Sequence, residues 1–239
     1  MRYVFTLPIM DIEINKEKLN SIQEPFEPLK NAVPENKYVA FIDILGFGNQ
    51  VINKFENTIS IYQEILGDIL IVEVVKTNVS IQIYSDSIVL SSEELHHLIL
   101  VVNTVLMQTL RRGFLARGGI GFGNHVEVHD GHNFYIISQA LVNAAIVEKS
   151  IKYPCVAIHD SVRIPEEYWM GEVPPILRTI LHFEGISLVS PLNMFWGTSA
   201  IGIASYLSEQ YPKHKGKYDW FLRLCEAIFR EEKMVPNIN

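Results

Sequence analysis

The chain has 239 residues, 48% of them hydrophobic and 20% charged, enough to bury a sizeable core without a cross-link or metal staple. Its formal charge of -7 excludes a sequence-independent grip on DNA or RNA, because such binding neutralises phosphates with clustered Lys and Arg. Cys155 and Cys225 lie far apart without metal-ligand spacing, and the first residues lack the charged, apolar and small-residue series of a signal peptide, so a reducing, cytoplasmic setting is expected.

In chain order, residues 1–36, with their Pro-containing EPFEPLKNAVPEN, read as an extension leading into a domain. YVAFIDIL (38–45) is β-branched and aromatic and is ended by Gly46, which predicts a buried strand. From 49 to 75, Val51, Phe55, Ile59, Tyr62, Ile65, Leu66 and Ile69 recur at helical spacing and predict one long helix. VSIQIY and SIVLSS flank Ser85-Asp86-Ser87, a hairpin with a carboxylate at its tip. The apolar LHHLILVVNTVLMQTLRRGF is interrupted by Asn103 and Gln108, so it predicts a buried helix over 95–112 rather than a membrane span.

A strand FLARGGIGFG, a turn-rich HDGHN and a short NFYIIS segment follow; then come a helix SQALVNAAIVEKSIK and a strand YPCVAIHD. Beyond about 160 the text is helical and loop-rich, with amphipathic SAIGIASYLSEQY and YDWFLRLCEAIF. The order strand, helix, hairpin, helix, strand, strand, helix, strand predicts an α+β fold of the ferredoxin-like, split β-α-β kind. Its helices are expected on one face of a largely antiparallel sheet. The expected division is an extension (1–36), a core (37–160) and a helical and loop C-terminal part (161–239) packed on it.

Asp43 stands in an otherwise apolar strand, where an isolated charge is very costly, so it must be paired, hydrogen-bonded or bound to a cation. Asp86 at a hairpin tip is by itself an ordinary turn former, and Asp43 by itself serves as a cap or core hydrogen-bonder. Together, a strand-end Asp and a hairpin-tip Asp on the neighbouring strand can hold a pair of hard divalent cations. The backbone N–H groups of Leu45, Gly46, Phe47 and Gly48, between strand and helix start, can face an anion such as a polyphosphate.

FIDILGF, the SDS tip, ARGGIGFGN and QALVNAAIVEKS occur in the order and approximate spacing of the class III nucleotidyl cyclase catalytic domain, which residues 37–160 resemble. The closer likeness is to the pyrimidine nucleotide cyclases of bacterial Pycsar anti-phage defence, with their FxDxLGF start, SDS tip, RGGI strand and AL...A...E helix. The resemblance implies two divalent cations, Mn²⁺ or Mg²⁺, on Asp43 and Asp86 with the Ile44 carbonyl assisting, and the triphosphate on Leu45 to Gly48. It implies a homodimer with sites at the interface, a nucleoside triphosphate substrate, and UTP converted to cyclic UMP that activates a separate effector. CTP to cyclic CMP is the alternative, and no nucleic acid or membrane partner is expected.

Base choice falls, by the same resemblance, to Gln82 and Tyr135, although Tyr135 also reads as an ordinary strand aromatic. Where the purine enzymes carry an Asn and an Arg for the transition state, this chain has Val142 and Ile146, with Asn143 one step off, and HFEGISLVSPL offers no clear triphosphate Lys. Arg117 is the first candidate for the missing cation, with a structural salt bridge as its other reading. Arg111, Arg112 and Lys152 rank below it, the two arginines reading equally as a cationic helix C-terminus. The missing pair keeps a non-catalytic nucleotide-binding module open as a rival. A polymerase-palm relative would need a second acid at the hairpin tip. The histidines of HVEVHDGH do not have a defined metal geometry, and Trp196 and Trp220 read as core or dimer contacts.

Overall fold

The structure is a computed structural model, and it describes residues 27–71, 78–170, 174–191 and 197–236. Trp196 lies outside them. The chain divides into two units: Pro34–His125 with Ile137 onward, and the described residues up to Val33 with Val126–Ile136.

The larger unit is built on β1 (Glu35–Ile44). Residues alternate across a strand, so Ala40, Ile42 and Ile44 enter one apolar cluster, whereas Val39 and Phe41 join Val89 and Ala140 on the other face. After β1 come α1 (Phe47–Asn53), α2 (Phe55–Leu70), the hairpin β2 (Ser80–Tyr84) and β3 (Ser87–Ser92), α3 (Leu95–Arg111) and β4 (Ala116–Asp130). The sheet order β2-β3-β1-β4, antiparallel at every step, is the split β-α-β arrangement expected from the sequence. β5 (Asn133–Ser138) pairs with β4, which runs on past the expected strand end at Gly123 to Asp130, and the chain turns within HDGHN at Gly131 and His132.

Three expectations are corrected. The single helix over 49–75 is two helices, broken at Lys54, which leaves helical geometry at φ -146° and ψ 53°. There the Asn53 side-chain amide donates to the Asn49 carbonyl at 2.8 Å, a local bond that competes with the helical ladder. Residues 72–77 of that expectation lie outside the described residues.

The C-terminal part is not only helical. β6 (Val156–Ile158) runs parallel to β4, and β7 (Ile180–Phe183) and β8 (Ile186–Val189) extend the same sheet, so it does not end at residue 160.

Helices also cover both faces. α2 and α3 bury Ile65, Ile69, Leu98, Val102 and Val105 against one face. α4 (Gln139–Ser150), α5 (Gly197–Gln210) and α6 (Lys215–Phe229) lie on the other, where Val147, Ala157, Leu181, Leu188 and Leu224 share a cluster. Trp220 is fully buried there, stacked on Tyr153 at 4.5 Å, which makes it a core residue.

The seat of α4 is cut into β4 by glycine. A Cβ at Gly119 would lie 2.1 Å from the Ala144 carbonyl oxygen, and one at Gly121 2.3 Å from that of Ala140. Small residues on both partners thus bring helix and sheet backbones into direct contact. α4 starts at Ser138, whose hydroxyl accepts from the Leu141 N–H at 2.9 Å and lies 2.8 Å from His125 Nδ1.

The smaller unit holds one helical turn, Glu27–Lys30, and the outer part of the β4–β5 hairpin. That hairpin turns at Gly131 with φ 56°, and the His129 ring packs on Phe134 at 4.5 Å.

Candidate active site

Register decides which side chains meet. Tyr84 pairs with Ser87, Ser87 with Asp43 and Asp43 with Arg117, so these four positions form one row across four strands on one face. The next row inward is Gln82, Val89, Phe41 and Gly119. Gln82 therefore shares the face of Asp43, two strands away, and its amide nitrogen donates to the Ser80 hydroxyl at 2.9 Å.

Asp86 reaches the same end of the sheet by the turn. Ser85 and Asp86 form a two-residue hairpin loop, with Ser85 held at φ 56°, a strained value for a residue with a side chain. The Asp86 carbonyl accepts from the Ile44 N–H at 2.9 Å, which fastens the hairpin tip to the end of β1. Its carboxylate faces Gly48, where a Cβ would sit 3.2 Å from Oδ2.

Between strand and helix the chain turns through Gly46 at φ 79°, a conformation a side chain would resist. Of the four amides expected to face a polyphosphate, that of Leu45 is already engaged: it donates to the Leu115 carbonyl at 2.8 Å. Those of Phe47 and Gly48 belong to the first turn of α1 and have no partner within the helix.

Phe47 is fully buried, edge-on to Tyr62 at 4.6 Å and to Phe114 at 5.3 Å. The Tyr62 hydroxyl is shielded from solvent and has no hydrogen-bond partner among the described residues. Burial, then the negative charges of Asp86 and Asp43, push its phenol up to about 12. Both carboxylates thus act on one hydroxyl, although 43 residues separate them in the chain.

Asp43 is paired. Arg117 Nε donates to its Oδ2 at 3.0 Å, and the same nitrogen lies 2.9 Å from Glu148 Oε1. Glu148, on α4, is 4% exposed and carries no role in the sequence reading. The signal for it is its spacing: Ala140, Ala144 and Glu148 are four apart, one stripe of the helix, and the two alanines are buried against the sheet.

The remaining candidates are elsewhere engaged. Arg112 donates to Asp68 at 2.9 Å and Glu64 at 3.2 Å on α2, and Arg111 lies 3.7 Å from Asp68, beside the helix end closed by Gly113 at φ 83°. Lys152 lines an open cleft of about 410 Å³ with Lys213, His214 and Lys217. Asn143 donates to the Phe122 carbonyl at 3.1 Å, while Val142 and Ile146 project as exposed apolar residues. Tyr135 belongs to the smaller unit. Among the described residues no group of three or more His, Cys, Asp and Glu is gathered as a metal cluster, and no helix is long and apolar enough to cross a membrane.

No family model and no curated protein sequence matches the chain. Among solved structures it is similar to a bacterial light-regulated adenylyl cyclase, at 13% identity and TM-score 0.48, covering 75% of this chain and 62% of that one. It is also similar to the adenylyl cyclase CyaB from P. aeruginosa, at 15% identity and TM-score 0.42, over 54% of this chain and 78% of that one. The guanylyl cyclase Cya2 overlays at 13% identity and TM-score 0.43, over 69% of this chain and 96% of that one.

Proposed function

We propose that the protein is a nucleotidyl cyclase that converts UTP to 3',5'-cyclic UMP and pyrophosphate, with CTP to cyclic CMP as the alternative. The observation that supports it is the bond from the Ile44 N–H, next to Asp43, to the Asp86 carbonyl at 2.9 Å, which brings the two aspartates to one end of a split β-α-β sheet with the Asp86 carboxylate facing Gly48. The sequence motifs that resemble the Pycsar cyclases point the same way.

The site fits hard cations. Its donors are the carboxylate oxygens of Asp43 and Asp86, which strand pairing and the Ile44–Asp86 backbone bond bring to the same end of the sheet. Asp43, Asp86 and the Ile44 carbonyl would hold Mn²⁺ or Mg²⁺. When bound, such a pair supplies Lewis acidity that favours the ionised ribose 3'-hydroxyl and takes up charge on the departing pyrophosphate. The 3'-oxygen bonds to the α-phosphorus, the bond from that phosphorus to the α–β bridging oxygen breaks, and the hydroxyl proton leaves to solvent.

The chain's own groups orient this displacement. Amides at Gly46, Phe47 and Gly48 face the triphosphate, and glycine at 48 keeps the approach beside Asp86 open. Arg117 offsets charge that develops at the phosphorus. Gln82, on the face of Asp43, reads the base, and as a neutral amide it selects for neither purine.

The enzyme would act in the cytoplasm as a homodimer, for which the exposed Val142 and Ile146 on α4 provide apolar surface. Its product would signal infection to a separate effector.

The test incubates purified protein with Mn²⁺ and each of ATP, GTP, CTP and UTP, and resolves products by chromatography and mass. Cyclic UMP from UTP is expected, and Asp43→Asn and Asp86→Asn should each abolish it while leaving the melting curve cooperative. Nucleotide-dependent stabilisation without pyrophosphate from any of the four would instead identify a binding module.

A further inference from the structure

Glu148 is placed where a carboxylate is least comfortable. It is buried, and it lies in the last turn of α4, where the negative end of the helix dipole opposes an anion. An apolar side chain would complete the Ala140–Ala144 stripe at lower cost. Arg117 is its ion-pair partner, and Arg117 is also bonded to Asp43.

The geometry is that of two acceptors and one N–H. Arg117 Nε carries a single hydrogen, given to Asp43 at 3.0 Å, while Glu148 waits 2.9 Å from the same nitrogen. A cation on Asp43 draws charge from the carboxylate that Arg117 holds through Oδ2, so the bond to the guanidinium weakens when metal binds. Taking Asp43 from this partly buried pair would leave the guanidinium less well compensated, which is unfavourable unless Glu148 holds it.

We propose that Glu148 is a positioning residue that takes over the Arg117 guanidinium when Asp43 turns to a divalent cation. The inference rests on the cyclase reading of Asp43. Before metal binds, Asp43, Glu148 and Arg117 sum to one negative charge. With Asp43 neutralised by the cation, Arg117 and Glu148 form a neutral pair that keeps the guanidinium beside the substrate. Glu148 thereby lowers the cost of freeing Asp43.

The test is a double-mutant cycle read by direct Mn²⁺ binding, with free Mn²⁺ followed by electron paramagnetic resonance and no nucleotide present. Glu148→Gln should weaken Mn²⁺ binding about tenfold, the scale on which partners of metal ligands act. Arg117→Gln should tighten it, because the competitor for Asp43 is gone.

The decisive comparison is the double variant. If Glu148 acts through Arg117, then Glu148→Gln changes affinity less than about twofold in the Arg117→Gln background. Equal effects in both backgrounds would mean that Glu148 merely adds charge to the site, and would overturn the proposal. So would an unchanged Mn²⁺ affinity in a folded Glu148→Gln protein.

Should Glu148→Gln fail to fold, Glu148→Asp carries the same comparison, with a smaller loss expected in the wild-type background and none with Arg117→Gln. A wild-type protein that binds no Mn²⁺ would remove the metal reading itself, and this proposal with it. Cyclic UMP formation alongside a flat cycle would remove the proposal alone.

Discussion

Gly119→Ala tests the packing on which the site depends. The new Cβ would sit 2.1 Å from the Ala144 carbonyl oxygen and 2.2 Å from Val147 Cγ1. Relief to an ordinary contact of about 3.4 Å requires a displacement of about 1.3 Å, and the carbonyl is helix backbone, so α4 must move as a body. Overpacking of this kind costs about 1–3 kcal/mol, and backbone on the opposing side places the cost near the top of that range. The gain from replacing glycine in a strand, roughly 0.5–1 kcal/mol, offsets only part. A net loss of about 2 kcal/mol lowers the melting temperature of a chain this size by roughly 4–8 °C.

The same displacement carries Glu148 away from Arg117, stretching a 2.9 Å contact toward about 4 Å, so Mn²⁺ affinity should fall together with stability. Calorimetry and the Mn²⁺ titration check both halves. A melting temperature within about 2 °C of wild type would refute the claim that glycine seats the helix.

Gly67→Ala is the opposite case: a Cβ at Gly67, inside α2, meets nothing within 4 Å, so helix propensity alone should raise stability by about 0.5–1 kcal/mol, read by urea unfolding with product formation unchanged. Tyr62→Phe removes a shielded hydroxyl with no described partner, so the ligand-free protein should melt no lower than wild type, while the stabilisation gained from Mn²⁺ with UTP shrinks; a lower ligand-free melt would show that the hydroxyl is already bonded. Burial pushes the thiols of Cys155 and Cys225 up to about 12, so both should resist thiol reagents at about pH 8 in the native protein and react fully in urea. Their folded-state values lie above the unfolded one, so the stability they contribute is present below about pH 9 and is lost as pH rises toward 12. A urea midpoint that stays flat from about pH 8 to about 10.5 would contradict this.

Much of the fold was legible because its signals are local. Alternation in YVAFIDIL, the polar tip between two β-branched runs and the long apolar face of α3 each report their own element, and their order gives the split β-α-β sheet. Asp43 and Asp86 stood out because a charge in an apolar strand and a charge at a turn are local anomalies. What was not legible depends on contacts between distant segments. The Leu45 amide is lost to Leu115, seventy residues on, and Glu148 matters only because β4 places Arg117 beneath it. The glycines of RGGIGFG read only as strand text, whereas they shape a helix seat. The β7–β8 hairpin was hidden by its brevity, with four residues in each strand.

The row Tyr84, Ser87, Asp43, Arg117 also constrains how the chain can fold. A slip of one residue in β1 would turn Asp43 toward the apolar layer of Ile65, Leu98 and Val102, and would point Ile42 and Ile44 at Arg117. Such a pairing buries a charge and abandons another, so misregistered intermediates are penalised at the step where the central strand docks. The residues proposed to handle the substrate would then serve earlier as a checkpoint on assembly, and a chain that completes its sheet would have its charges already aligned for chemistry.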